Sequence, residues 1–143
     1  MRKHYQKIFA FFFAISSLVL ILTGCSKKEN SSNKNSIVTS TNVYADIAQN
    51  VLGKYGKATA IITNSATDPH DFEPTTADAK KVQNAKIVVA NGLGYDSWLP
   101  KLAKSTNKSA VLVGEDLMNL KNGANPHIWF DLNMPKKYVN YLV

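Results

Sequence analysis

The chain has 143 residues, 45% of them hydrophobic, 19% charged and 10% aromatic, a composition that fits one globular domain and excludes a disordered or fibrous chain. Its 17 basic and 10 acidic residues give a formal charge of +7. Arg2, Lys3 and Lys7 precede the first apolar run, however, and without residues 1–24 the charge is +4, a poor basis for nucleic-acid binding. The single cysteine excludes an intrachain disulfide framework and a Cys-rich zinc ribbon.

Met1–Lys7 is a cationic head and Ile8–Leu22 an uncharged run of fifteen residues. A bilayer span takes roughly 20 apolar residues, so the run fits a signal-peptide core better than a permanent anchor. It ends in Leu22-Thr23-Gly24-Cys25, which resembles the bacterial lipobox: residues 1–24 are expected to be removed and Cys25 acylated. Residues 25–36 follow; Ser26–Ser36 (SKKENSSNKNS) lacks any apolar residue and reads as a flexible tether, because nothing in it offsets the entropy of ordering. An acyl anchor with a tether places the rest of the chain at the cell membrane, lipid-anchored on its extracytoplasmic face.

From residue 37 to residue 143 short apolar runs alternate with amphipathic ones. Ile37–Thr41 is β-branched and predicts a strand. Val43–Leu52 has helical spacing, with Thr41 or Asn42 as N-cap and Gly53 and Gly56 ending it. Lys57–Thr63 is a second strand, and Thr75-Thr76-Ala77-Asp78 opens a short helix to Gln83 with a capping-box acid. Ile87–Ala90 (IVVA) is a continuous apolar run, as expected of a strand buried on both faces. Tyr95–Lys104 is predicted as a helix with Trp98, Leu99, Leu102 and Ala103 inward, and Val111–Val113 as a fourth strand. This order predicts an α/β fold, a doubly wound layer on a mainly parallel sheet. The chain stops within the amphipathic run Tyr138–Val143, as expected of a truncated domain.

Beyond the signal segment two histidines remain, in duplicate frames: Asp68-Pro69-His70-Asp71 and Asn125-Pro126-His127-Ile128. Proline fixes its own φ and biases the preceding residue toward extended backbone, so each Asx-Pro pair is a stiff turn that aims the following imidazole. In open α/β sheets ligands bind beyond the carboxyl ends of the strands, where two such imidazoles make half of a tetrahedral metal site. Alternatively each is a surface or core histidine satisfied by hydrogen bonds; residue pattern alone leaves both readings open. Asp68 and Glu73 are candidates for outer-shell partners or solvated loop charges. Asp131 either orients His127 through its free ring nitrogen or caps the helix that follows. Asn91-Gly92-Leu93-Gly94 reads as a tight strand-to-helix turn, Trp98 and Trp129 as packing residues, and Lys80, Lys81, Lys136 and Lys137 as solvated faces. No HExxH frame, Ser/His/Asp set or paired-carboxylate arrangement is present, so an enzyme is not expected; a metallohydrolase would have Glu73 alone as a nearby base.

Asp68–Thr75 (DPHDFEPT), Ala90–Leu99 (ANGLGYDSWL) and Asn125–Asp131 (NPHIWFD) together resemble the zinc/manganese-binding lipoproteins of bacterial metal ABC importers. The resemblance implies two α/β lobes joined by a long helix, of which residues 37–143 are the amino-terminal one. His70 and His127 are then its metal ligands, with further ligands from an absent carboxyl lobe. It implies Zn²⁺ as the bound ion, or Mn²⁺, an ABC permease in the membrane as partner, and capture and delivery of the metal rather than catalysis. Nitrogen ligands favour zinc, whereas residues 114–126 lack the His-rich loop of many zinc members. The alternative is an adhesin or interaction lipoprotein, or a truncated remnant without metal transport.

Overall fold

Branched side chains over Ser36–Thr41 build β1, the strand from which the layer grows. The computed structural model describes residues 35–121 and 123–143; the expected signal peptide, Cys25 and residues 25–34 of the expected tether lie outside the described residues. Ser36 belongs to the strand and not to the tether: it pairs in register with Lys57, and its hydroxyl donates to the Asn84 carbonyl at 3.1 Å.

Helix α1 (Asn42–Leu52) follows β1 without a loop. Thr41 caps it by extended backbone alone, and the Asn42 carboxamide donates across to the Thr63 carbonyl at 3.0 Å. β2 (Lys57–Ile62) comes next. α2 (Thr76–Asn84) opens with the full capping box: the Thr75 hydroxyl accepts from the Asp78 N–H, and the Asp78 carboxylate accepts from the Thr75 N–H. β3 (Ile87–Ala90), α3 (Trp98–Ser105) and β4 (Ala110–Leu112) complete the alternation. A π-helical turn over Val113–Leu117, a 3₁₀ turn over Ile128–Phe130 and α4 (Asn133–Leu142) end the chain.

The helix expected from Tyr95 begins instead at Trp98. Pro100 explains the shift. It lacks the N–H that a helix begun at Tyr95 would need, whereas in a first turn that N–H has no intrahelical partner to lose. Pro135 occupies the same third position in α4.

All strand pairs are parallel and lie in the order β2-β1-β3-β4. Neighbouring residues point to opposite faces. Val38 and Val88 join Ile61, Val82 and Leu99 in one core, while Ile37 and Val89 join Tyr44, Met134 and Tyr138 in the other. The sheet is thus buried on both sides, α2 and α3 covering one face and α1 and α4 the other. Because β1 leads outward to β2 and β3 to β4, the order reverses between β1 and β3, and in open α/β sheets ligands bind beyond the carboxyl ends of the strands at such a switch point. Among the described residues no helix is long and apolar enough to cross a membrane.

Candidate metal centre

The two Asx-Pro-His turns close in the same way. Asp68 Oδ1 accepts from the His70 N–H at 2.9 Å, and Asn125 Oδ1 accepts from the His127 N–H at 3.0 Å. Each proline carbonyl in turn accepts from a side-chain N–H in the layer beneath: Pro69 from the Trp98 indole at 3.0 Å, Pro126 from the Asn91 carboxamide at 3.1 Å. Asn125 Oδ1 also lies 2.8 Å from His127 Nδ1. That oxygen can only accept, so Nδ1 is the donor, and in the neutral ring Nε2 is the nitrogen that offers a lone pair.

Tyr95 brings the two turns together. Its ring centroid is 5.0 Å from that of His70 and 6.2 Å from that of His127, so both imidazoles rest against one phenol. Trp129 packs on the same group, 5.2 Å from Tyr95 and 5.1 Å from His127. Both histidines are exposed. Tyr95 and Trp129 also wall an open hollow of about 250 Å³ beside the carboxyl ends of β1 and β2, lined further by Thr41, Asn42, Asn64 and Thr67; neither imidazole is among its lining residues. Burial, and then the charges of Asp68 and Asp96, push the Tyr95 phenol above its ordinary pKa, so it stays neutral beside the histidines.

The turn after β3 supports this group from below. Gly92 and Gly94 have φ of +80° and +82°, and a Cβ on Gly92 would overlap Glu115 Oε2. Asp96 is buried, and its carboxylate accepts from the Asn91 N–H at 2.6 Å and the Gly92 N–H at 3.0 Å. Burial raises its pKa against the lowering effect of those bonds. Glu115 Oε1 accepts from the Leu93 N–H at 2.8 Å. Asn91, fully buried, accepts from the Tyr44 hydroxyl at 2.5 Å.

Of the other candidates, Asp68 closes the His70 turn and Glu73 is exposed. Asp131 takes the capping alternative: its Oδ1 accepts from the Asn133 N–H at 2.8 Å, and the His127 ring nitrogen is held by Asn125 instead. Among the described residues no group of three or more His, Cys, Asp or Glu side chains is placed to hold a metal ion. Nothing in the sequence pattern singled out the side chains of Asn91 and Asp96, and Trp98, expected to pack, also donates to the Pro69 carbonyl. The Asn125 side chain was not singled out either, although it was legible, since Asx before Pro commonly closes a turn with its own side chain. The other three act across 5 to 35 residues of chain, where no local pattern marks them.

A parallel sheet covered by helices on both faces is the α/β fold of solved periplasmic metal-binding proteins, and the chain matches part of their length. Residues 37–142 match the family described as ZnuA, zinc-uptake complex component A, periplasmic, and the chain belongs to it. It is 30% identical to the manganese-binding lipoprotein MntA of Halalkalibacterium halodurans over 96% of this chain and 48% of that protein. It is 33% identical to the metal ABC transporter substrate-binding lipoprotein FimA of Streptococcus parasanguinis, over 89% and 46%. The crystal structure of the metal-dependent lipoprotein YcdH from Bacillus subtilis superposes with a TM-score of 0.62 at 26% identity, over 76% of this chain and 42% of that one. The chain thus spans about half the length of the relatives it matches.

Proposed function

We propose that this chain is the histidine-bearing lobe of an extracytoplasmic solute-binding lipoprotein, anchored through Cys25, which captures a divalent transition metal and delivers it to an ABC permease. The observation that carries the reading is the contact of both exposed imidazoles with the one Tyr95 ring. Capture is by ligand exchange: His70 and His127 each offer a neutral ring nitrogen, displacing water from the ion, and no bond of a substrate is broken. Two imidazoles fill half of a four-ligand shell, and among the described residues no group of three or more His, Cys, Asp or Glu side chains is placed to complete it. Two nitrogen donors favour zinc, which the family description also names; manganese is the alternative, as in the name of MntA.

The test is titration of the full chain, in detergent micelles, with Zn²⁺ and with Mn²⁺. The wild type is expected to bind zinc more tightly than manganese. His70→Ala and His127→Ala each weaken zinc binding by at least about 10-fold, and acid weakens it further because protons compete for imidazole. Equal zinc binding by all three proteins removes the assignment.

An interaction role draws on one observation: Phe130 and Leu132, 77% and 84% exposed, add apolar surface just after His127 and Trp129. Its signature is partner binding that persists under chelation and is lost in a Phe130→Ser, Leu132→Ser double variant.

A further inference from the structure

We infer that Trp98 and Asn91 are positioning residues, one for each histidine, that aim the imidazoles by clamping the peptide plane in front of them. The inference rests on the metal-binding reading above for its purpose, but its geometry stands independently.

The carbonyl of a proline and the N–H of the residue after it are two ends of one planar peptide unit. In the first turn the oxygen end of that plane, Pro69 O, is held by the Trp98 indole at 3.0 Å, and the hydrogen end, His70 N–H, by Asp68 Oδ1 at 2.9 Å. In the second the oxygen end, Pro126 O, is held by the Asn91 carboxamide at 3.1 Å and the Ile128 N–H at 2.8 Å. Its hydrogen end, His127 N–H, is held by Asn125 Oδ1 at 3.0 Å. Proline already fixes the φ that leads into the plane. A plane pinned at both ends fixes the position of the histidine Cα and the N–Cα axis about which its side chain is set.

Both clamps are rooted where they cannot yield. Trp98 is 8% exposed and packs on Phe72 with 4.7 Å between ring centroids. Asn91 is fully buried at the end of β3; its carboxamide oxygen accepts from Tyr44 of α1, its second N–H reaches the Gly92 carbonyl at 3.1 Å, and its backbone N–H is held by Asp96. The turn that carries His127, 35 residues further along, is thereby referenced to the middle of the sheet. The turn that carries His70 is referenced to α3. Residues 91–97 link β3 to α3, so the two clamps stand at the two ends of one strand-to-helix connection, and Tyr95 within it is the ring both imidazoles touch. Outer-shell partners of this kind typically affect metal affinity by 10- to 100-fold.

The experiment uses the full chain in detergent micelles and reads each imidazole separately by long-range ¹⁵N–¹H NMR of the histidine rings, followed by Zn²⁺ titration. Asn91→Asp keeps size and an acceptor for Tyr44 but loses both carboxamide N–H groups; Trp98→Phe keeps an aromatic ring and loses the indole donor. The expected result is a crossover: Asn91→Asp shifts the His127 ring signals and leaves those of His70, Trp98→Phe does the reverse, and each weakens zinc binding by about 10-fold. Signals that move together in both variants, or in neither, overturn the inference, as does unchanged zinc affinity while His127→Ala weakens it. If instead His70→Ala and His127→Ala bind zinc like the wild type, the metal reading is what has failed, and the clamps stand or fall on the ring signals. Should circular dichroism show Asn91→Asp unfolded, Tyr44→Phe, which frees the carboxamide without removing its donors, is expected to give a smaller shift confined to His127; its absence overturns the inference.

Discussion

Two tyrosines in the core under α1 and α4 separate what a buried hydroxyl contributes from what it costs. The rings of Tyr44 and Tyr138 meet edge to face, with centroids 5.7 Å apart, and burial pushes both phenols far above their ordinary pKa. The Tyr44 hydroxyl donates to Asn91, whereas the Tyr138 hydroxyl has no hydrogen-bond partner among the described residues. Leaving one half of a buried pair unsatisfied costs about 1–3 kcal/mol, and burying an unpaired hydroxyl carries a cost of similar size. Tyr44→Phe is therefore expected to lower unfolding stability by about 1–3 kcal/mol, and Tyr138→Phe to leave it unchanged or raise it by about 1 kcal/mol; urea denaturation of both checks the opposite signs. At Gly92 the positive φ strains any side chain, and a Cβ would push aside the Glu115 carboxylate that accepts from the Leu93 N–H. Gly92→Ala should cost more than 2 kcal/mol on the ~1–3 kcal/mol scale of backbone strain alone, since overlap adds to it. A melting curve that matches the wild type would contradict this.

Among the elements, α2 tests whether a sequence signature contributes in the measure expected of it. Thr75 and Asp78 form the reciprocal cap, and Lys81 pairs with Asp78 at 2.9 Å. Burial alone would raise the Asp78 pKa, but the hydrogen bonds from Lys81 and Thr75 outweigh it and hold it below the ordinary value. The cap's electrostatic share is therefore fully present above about pH 4, the unfolded carboxylate value. It is lost as the pH falls through the depressed folded value. Thr75→Ala should destabilise the protein by about 1 kcal/mol at neutral pH, and by less in strong acid; an equal loss at both would assign the effect to packing. This helix was legible because a capping box is local. So was β3, whose IVVA run has one reading in a parallel sheet buried on both faces. The start of α3 was not read correctly, although Pro100 carries the information: hydrophobic spacing extends the pattern back to Tyr95, and only the missing N–H cuts it. The fourth strand was expected at Val111–Val113 and lies at Ala110–Leu112, because apolar content does not distinguish the strand from the π-helical turn that follows it.

At the scale of the whole molecule, sheet order does what no single element can. The order reverses between β1 and β3, and the loops after β2 and β4 bring His70 and His127 to the same aromatic ring. The α/β class was legible, since strand–helix alternation is written along the chain, and so was the shared turn of the two histidines, whose duplicated Asx-Pro-His frame closes twice in the same way. That both rings meet on Tyr95, and that their turns hang from Trp98 and Asn91, depends on contacts between distant segments and was not. Belonging to the ZnuA family accords with this geometry and leaves the convergence of the two imidazoles on one ion as the point to be measured. X-ray absorption spectroscopy of the zinc-loaded full chain measures it most directly. The account predicts two imidazole nitrogens at about 2.0–2.1 Å from a single zinc, falling to one in either His70→Ala or His127→Ala. An imidazole count that is zero in the wild type, or that neither substitution lowers, would contradict it.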